Sequence, residues 1–307
     1  MRFKRLDLNL LFALDVLLEE RSVTLASKRL NLSQSATSGV MARLREYFDD
    51  ELLVTVGRSM VLTPLAESLA APVRDVLLQI QSTIETKPGF DALTSTRHYR
   101  VICSDYPGTV VMPLCARLLS ERAPHATLEV IAPNDVMHQN IERAEVDLLI
   151  LPQQYISGEH PHDVLFEDDY ACVVWDRHPE LGDKLSLEQY LAAGHIATNF
   201  GVHRAPTFEE TYLRGKGHAR RIEIITSSFN TLPQYLVGTR RMATMHRKLA
   251  LLFSAHYPIR ILDLPVEIPP IIEVMTWPKS MDKDLSHQFF RELLHEAVQV
   301  IECAGSD

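Results

Sequence analysis

The 307-residue chain is 46% hydrophobic and 23% charged, enough apolar material for a real core and too much for bulk disorder. Its net charge of −9 would argue against nucleic acid if it were evenly spread, but residues 1–60 hold nine Lys/Arg against eight Asp/Glu, and between Glu20 and Glu46 stand five basic residues and no acidic one. Cys103, Cys115, Cys172 and Cys303 show no C-x-x-C spacing, no run reaches the roughly 18–20 apolar residues of a membrane span, and no signal peptide is expected, so the chain reads as cytoplasmic.

Residues 6–20 place Leu6, Leu10, Leu14, Leu17 and Leu18 on one helical face. Ser22 caps a short second helix over about 23–30, and Ser33 caps a third. In the third helix Ala36, Val40, Leu44 and Phe48 recur as an apolar stripe, while Gln34, Ser35, Thr37, Ser38, Met41 and Arg45 take the other side. Residues 52–63 read as a hairpin around Gly57-Arg58-Ser59. Three helices and a hairpin outline a winged helix-turn-helix. Residues 64–87 are helical again, about 36 Å long. Leu65, Leu69, Val73, Leu77, Ile80 and Ile84 form a stripe that reads as a dimerisation face, and Pro72 is its weak point.

From about residue 97 strands alternate with helices, which predicts an α/β unit with largely parallel sheets. Nine candidate strands suit two lobes. The stretch 152–168 is expected as one crossing between lobes, and Pro265 to Pro270 as the return. The expected organisation is a DNA-binding domain over 1–63, a linker helix over 64–90 and a ligand-binding unit over 91–307. Its lobe I covers about 95–165 and 268–302, and its lobe II about 166–267.

DLNLL at Asp7–Leu11, the run Ser22–Glu46 and the run Asp50–Glu67 resemble the DNA-binding domain of LysR-type transcriptional regulators. RHPEL at Arg177–Leu181, Gly194-His195 and Ala243–Met245 resemble the effector domain of the same family, closest to its NodD- and NahR-like, aromatic-responsive subgroup. The resemblance spans essentially the whole chain. It implies a winged helix-turn-helix, a linker helix and a two-lobed, periplasmic-binding-protein-like effector domain. It implies double-stranded operator DNA and a small-molecule inducer as partners, a homodimer or tetramer, and contact with RNA polymerase. No cofactor beyond a small aromatic effector is expected. Two departures stand out: Ser35 where the family often has Pro, and Thr55 where its wing often has Arg.

A recognition helix turns its first residues toward base edges in the major groove. Gln34 suits adenine, Ser33, Ser35, Thr37 and Ser38 suit bases or phosphates, and Lys28, Arg29, Arg43, Arg45 and Arg58 suit phosphates. In the second unit, loops following strands are the expected binding positions. Asp105 and Thr109 stand in the first such loop. Asn199, Phe200, His203, Ser228 and Phe229 stand across the cleft, with polar groups beside rings that suit a hydroxylated aromatic. Lys248 is added by the resemblance to aromatic-sensing members. Enzyme signals are weak: His295-Glu296 lacks a second His because position 299 is Gln, Gly215-Lys216-Gly217 only superficially resembles a phosphate loop, and there is no G-x-S-x-G. His160-Pro161-His162-Asp163 reads as solvated rather than metal-binding. A solute-binding protein, a small-molecule enzyme or a binding protein with no DNA role would leave residues 1–87 unexplained.

Overall fold

The computed structural model describes residues 8–57, 59–85, 89–156, 160–200 and 205–304, and the chain parts into two compact units at Pro88–Gly89. Arg58 and His203 lie outside the described residues, as do the side chains of Ile84 and Phe200.

The first unit is built on α1 (Leu8–Glu20), α2 (Val23–Arg29) and α3 (Gln34–Phe48). Steps of three and four residues put Leu10, Leu14, Leu17 and Leu18 of α1 in the core. The Ser22 hydroxyl accepts from the Leu25 N–H at 3.3 Å and starts α2, and Ser33 accepts from the Ala36 N–H at 3.1 Å and starts α3. Between them Asn31 sits at φ 53°, a left-handed conformation that Asn tolerates.

Of the expected α3 stripe Ala36, Val40, Leu44 and Phe48, Leu44 is buried and Val40 and Phe48 pack against the core, but Ala36 does not. Thr37, Met41 and Leu44 are buried, and Ala36 is exposed. A threonine can enter this core because its Oγ1 donates to the Ser33 carbonyl at 3.0 Å, leaving no polar group unpaired. The inward face thus widens to take in Thr37 and Met41 beside Val40 and Leu44, and the Thr37 side chain is turned to the core.

The expected hairpin is β1 (Leu53–Val56) with β2 (Ser59–Leu62), antiparallel from Leu53↔Leu62 to Val56↔Ser59. Asp50 Oδ1 fixes its base, accepting from the Leu52 N–H and the Thr63 hydroxyl at 2.6 Å each. α4 (Pro64–Glu85) then packs back on α1. Ala66 and Val73 are buried there, and Leu69, Ala70 and Leu77 pack against the same core. Arg74 reaches Asp15 at 3.1 Å and Glu19 at 3.5 Å. Leu69, Val73 and Leu77, expected to face a partner, therefore cover their own domain first, because α1 offers the nearest apolar surface. Leu65 and Val76 remain exposed.

The second unit runs β3 (His98–Cys103), α5 (Asp105–Val110), α6 (Met112–Arg122), β4 (Thr127–Ile131), α7 (Met137–Glu142), β5 (Leu148–Pro152) and β6 (His162–Asp168). It continues with β7 (Tyr170–Trp175), α8 (Leu187–Ala192), β8 (Gly194–Phe200), β9 (Ala205–Pro206), α9 (Phe208–Gly215) and β10 (Arg221–Thr226). It ends with α10 (Leu232–Leu236), β11 (Met242–His246), α11 (Arg247–Ser254), β12 (Ile259–Leu262), β13 (Ile271–Thr276) and α12 (Leu285–Ala304). One sheet has the order β4-β3-β5-β13-β6, the other β10-β8-β11-β7-β12. In the first, β3 pairs in parallel with β4 and β5, while β13 is antiparallel to β5 and β6. In the second, β8 is parallel to β10 and β11, while β7 is antiparallel to β11 and β12.

The chain crosses from the first sheet to the second at Asp169, between β6 and β7, and returns between β12 and β13. The stretch expected as a crossing, 152–168, instead contains β6, an edge strand of the first lobe. Its charged residues, His162, Asp163, Glu167 and Asp168, disguise it, and edge strands carry such charges as a guard against mispairing. One continuous apolar cluster runs through both lobes, from Tyr99 and Phe290 to Phe229 and Met245. No described helix is long and apolar enough to cross a membrane.

Candidate functional site: DNA-reading helix and inter-lobe cavity

On α3 the exposed polar residues of the first turns are Gln34, Ser35 and Ser38, followed by Arg43. Ser38 follows Gln34 by four residues and Ser35 by three, so the three share an exposed flank that borders the buried Thr37, Met41 and Leu44. Ser33 is committed to its cap and to the Ser35 hydroxyl at 3.0 Å. Gln34 Nε2 touches Thr24 Oγ1 of α2 at 3.3 Å, so its amide is steered along the helix start. Lys28 is exposed on α2.

Two of the expected phosphate contacts have structural work instead. Arg29 bonds Glu19 at 2.7 Å and Glu20 at 3.1 Å, binding α2 to the end of α1. Arg45 donates to the carbonyls of Glu51 at 2.9 Å and Leu53 at 3.0 Å, tying α3 to the wing. A guanidinium already held by carboxylates or carbonyls is a poor phosphate ligand. Arg58 of the wing lies outside the described residues.

The second unit holds a cavity of about 230 Å³ between its lobes. The first lobe contributes Ser104, Tyr155, Ile271 and Glu273 among others, and the second Tyr170, Thr207, Phe208, Glu209, Phe229 and His246. The wall is mostly ring and aliphatic surface. Two buried polar atoms on it have no hydrogen-bond partner among the described residues: His246 Nδ1 and Glu273 Oε2. Such atoms are costly unless a ligand or water meets them.

Burial dominates the electrostatics here. It pushes the Glu273 carboxyl up to about 8, with Asp168 adding to the effect, and holds the His246 imidazole down to about 3. Burial also raises Glu209, against the attraction of Arg220 at 3.8 Å. His246 stacks on Tyr106 with centroids 3.8 Å apart, and the Tyr106 hydroxyl donates to Asp168 at 2.5 Å. Arg220 bonds Glu210, Tyr190 and Thr244 and is nearly inaccessible.

Most of the expected effector contacts lie elsewhere. Asp105 Oδ2 accepts from the Ser228 hydroxyl at 2.6 Å and the Asn230 N–H at 3.0 Å, and Thr109 exchanges hydrogen bonds with the Asn230 side chain at 2.9 and 3.0 Å. Asp105, Thr109 and Ser228 thus clasp one lobe to the other rather than face the cavity. Lys248 turns to the Glu167 carbonyl at 2.8 Å and to Asp168 at 3.8 Å, in a separate recess shared with Arg247 and Glu302. Asn199 is half-buried in β8 opposite Pro206 and does not line the cavity. His203 and the Phe200 side chain lie outside the described residues. Phe229 does line the cavity, its ring 4.7 Å from His246.

Tyr155, Tyr170, Thr207, Phe208, Glu209, His246 and Glu273 were not anticipated. The available signal was Glu273, a lone carboxylate inside the apolar run Ile271–Met275. Among the described residues no group of three His, Cys, Asp or Glu side chains is placed to hold a metal ion.

This architecture has many counterparts. Residues 8–67 match the bacterial regulatory helix-turn-helix domain of the LysR family, and residues 94–299 match the LysR substrate binding domain. Nodulation protein D 2 of Rhizobium tropici is 41% identical over 294 residues, covering 96% of this chain and 93% of that protein. Nodulation protein D 1 of Mesorhizobium japonicum is 40% identical, covering 96% and 94%. Among solved structures, a probable transcriptional regulator from Pseudomonas aeruginosa aligns with a TM-score of 0.64 at 25% identity, covering 95% of this chain and 97% of its own. A full-length OxyR variant from the same organism shares the fold at a TM-score of 0.65 and 17% identity, covering 96% and 95%. With a helix-turn-helix matched over the DNA-reading unit and a ligand-binding domain matched over the two lobes, the chain belongs to the LysR family of DNA-binding transcriptional regulators.

Proposed function

We propose that this regulator is an activator switched by a small aromatic effector held in the inter-lobe cavity. The observation that carries the reading is the cavity wall: rings of Tyr155, Tyr170, Phe208 and Phe229 around two buried polar atoms without a partner, His246 Nδ1 and Glu273 Oε2. A volume of about 230 Å³ suits one substituted ring. An effector changes transcription only if it binds one arrangement of the lobes better than another, and a ligand touching both lobes meets that condition. Gln34, Ser35 and Ser38 read base edges, while Lys28 and Arg43 neutralise phosphates. The regulator acts in the cytoplasm without catalysis, as a homodimer or tetramer, and contacts RNA polymerase at its promoters. The exposed Leu65 and Val76 of α4 supply the dimer contact.

The test pairs thermal melting of the full chain against a panel of single-ring phenols with a promoter–reporter assay. At least one phenol should raise the melting temperature and raise reporter output. If none stabilises the protein, the effector class is wrong; if binding lowers output, the sign of regulation is wrong.

A further inference from the structure

We infer that Gly39 lets α3 lie close against the floor of the operator's major groove, and that this position lacks a side chain for the sake of DNA rather than of the fold. The inference rests on the base contacts proposed above for α3 and adds a residue that acts by having no side chain. Gly39 is exposed in the interior of the 15-residue helix. Relative to alanine, glycine there weakens a helix by a factor of about two to five, because its backbone loses more freedom on folding. Two structural needs commonly justify that cost, and Gly39 meets neither. It does not take a positive φ, unlike Gly57, Gly89, Gly217 and Gly238. Nor does a neighbour occupy its space: a Cβ built on it would meet no atom of the described residues within 4 Å, whereas one on Gly194 would collide with the Glu223 carboxylate.

The residues around Gly39 call for the same close approach. Gly39 follows Ser35 by four residues, about 6 Å along the helix axis, and stands next to Ser38. The exposed residues from 35 to 42 are Ser35, Ala36, Ser38, Gly39 and Ala42, so none carries more than a hydroxymethyl group. A serine hydroxyl stands only two bonds from its Cα. Ser35 and Ser38 therefore reach a base edge only when the helix backbone itself is near the groove floor. A long side chain at position 39 would meet the floor first and hold both hydroxyls away from it. A hydrogen bond to a base lost in this way lowers affinity for the preferred sequence, while binding through phosphates persists.

The test uses the full chain, a duplex that the wild-type protein selects from a randomised pool, and an unrelated duplex of the same length. Gly39→Ala and Gly39→Leu each install a good helix former in open space, so hydrogen exchange of the α3 amides should slow by about two- to fivefold. Affinity for the selected duplex, read by gel shift, should move the other way, falling about fivefold in Gly39→Ala and at least about 50-fold in Gly39→Leu. Affinity for the unrelated duplex should stay within about twofold. Sedimentation velocity should show both variants assembling as the wild type does. Unchanged or raised affinity of Gly39→Leu for the selected duplex overturns the inference. If Gln34→Ala, measured beside it, still weakens binding, α3 remains the reading helix; if it does not, that reading falls as well. An equal loss on both duplexes overturns the approach to the groove floor, because it marks crowding against phosphates. Faster exchange in α3 makes Gly39 a requirement of the fold, a shift toward smaller species places it at a protein interface, and either result overturns the inference.

Discussion

Replacing Glu273 by Gln has a consequence for folding that is independent of any ligand. Burial, reinforced by Asp168, raises this carboxyl from 4.5 to about 8. Between those values the unfolded chain holds fewer protons than the folded one, so stability is fully present below pH 4.5 and is lost as pH rises through about 8. At about 1.4 kcal/mol per pH unit, the loss reaches roughly 1 kcal/mol at pH 5 and roughly 3 kcal/mol at pH 7. Gln does not ionise and escapes it. The stability of the variant relative to wild type should therefore grow by about 2 kcal/mol between pH 5 and pH 7. His246, depressed by burial to about 3, weakens both proteins as pH falls below 6.5 and cancels in the difference. Differential scanning calorimetry of the two full chains, repeated from pH 5 to pH 8, reads the effect. For a unit of about 200 residues the gap in Tm should widen by roughly 4–8 °C from pH 5 to pH 7. A gap that stays flat, or that narrows with rising pH, refutes the picture of an uncompensated buried acid.

Gln34→Ala should cost about 1–3 kcal/mol on the preferred operator and relax the preference at one base pair, as read by competition gel shifts against single-base operator variants. Thr37→Val should leave operator affinity and its base preference unchanged, because the side chain faces the core; a loss of specificity without a loss of fold would return Thr37 to the DNA surface. Arg74→Ala removes the partner of Asp15 and Glu19 and should cost the first unit about 1–3 kcal/mol in urea unfolding. Val76→Glu, on the exposed side of α4, should shift sedimentation toward the monomer while leaving the melting of the first unit within about 0.5 kcal/mol of wild type.

The regular elements were legible because their apolar residues recur at helical or strand spacing. The strand 98–103, the strand 170–175 and the helix 187–192 have the expected bounds. Faces and contacts were harder. A polar residue such as Thr37 reads as surface until its hydroxyl is seen to bond the carbonyl four residues back. Basic residues near the reading helix all look like phosphate ligands, yet Arg29 and Arg45 find partners within the domain. In the second unit the loops after strands hold the expected contacts, but Asp105 pairs with Ser228 and Thr109 with Asn230 across the lobes. The cavity instead gathers residues from β5, β7, α9, β11 and β13, a meeting that depends on the order of strands in two sheets and leaves no local trace.

The inward turn of Thr37 bears on how this protein changes over generations. The residues that anchor α3, Thr37, Met41 and Leu44, are distinct from Gln34, Ser35 and Ser38, which face outward. Substitutions at exposed positions away from caps and buried contacts usually alter stability by no more than about 0.5 kcal/mol. With the base contacts proposed above, operator preference and structural integrity fall to separate residues of one helix. A lineage carrying this domain can acquire new target promoters by single substitutions on the outer face, without first accumulating stabilising changes elsewhere.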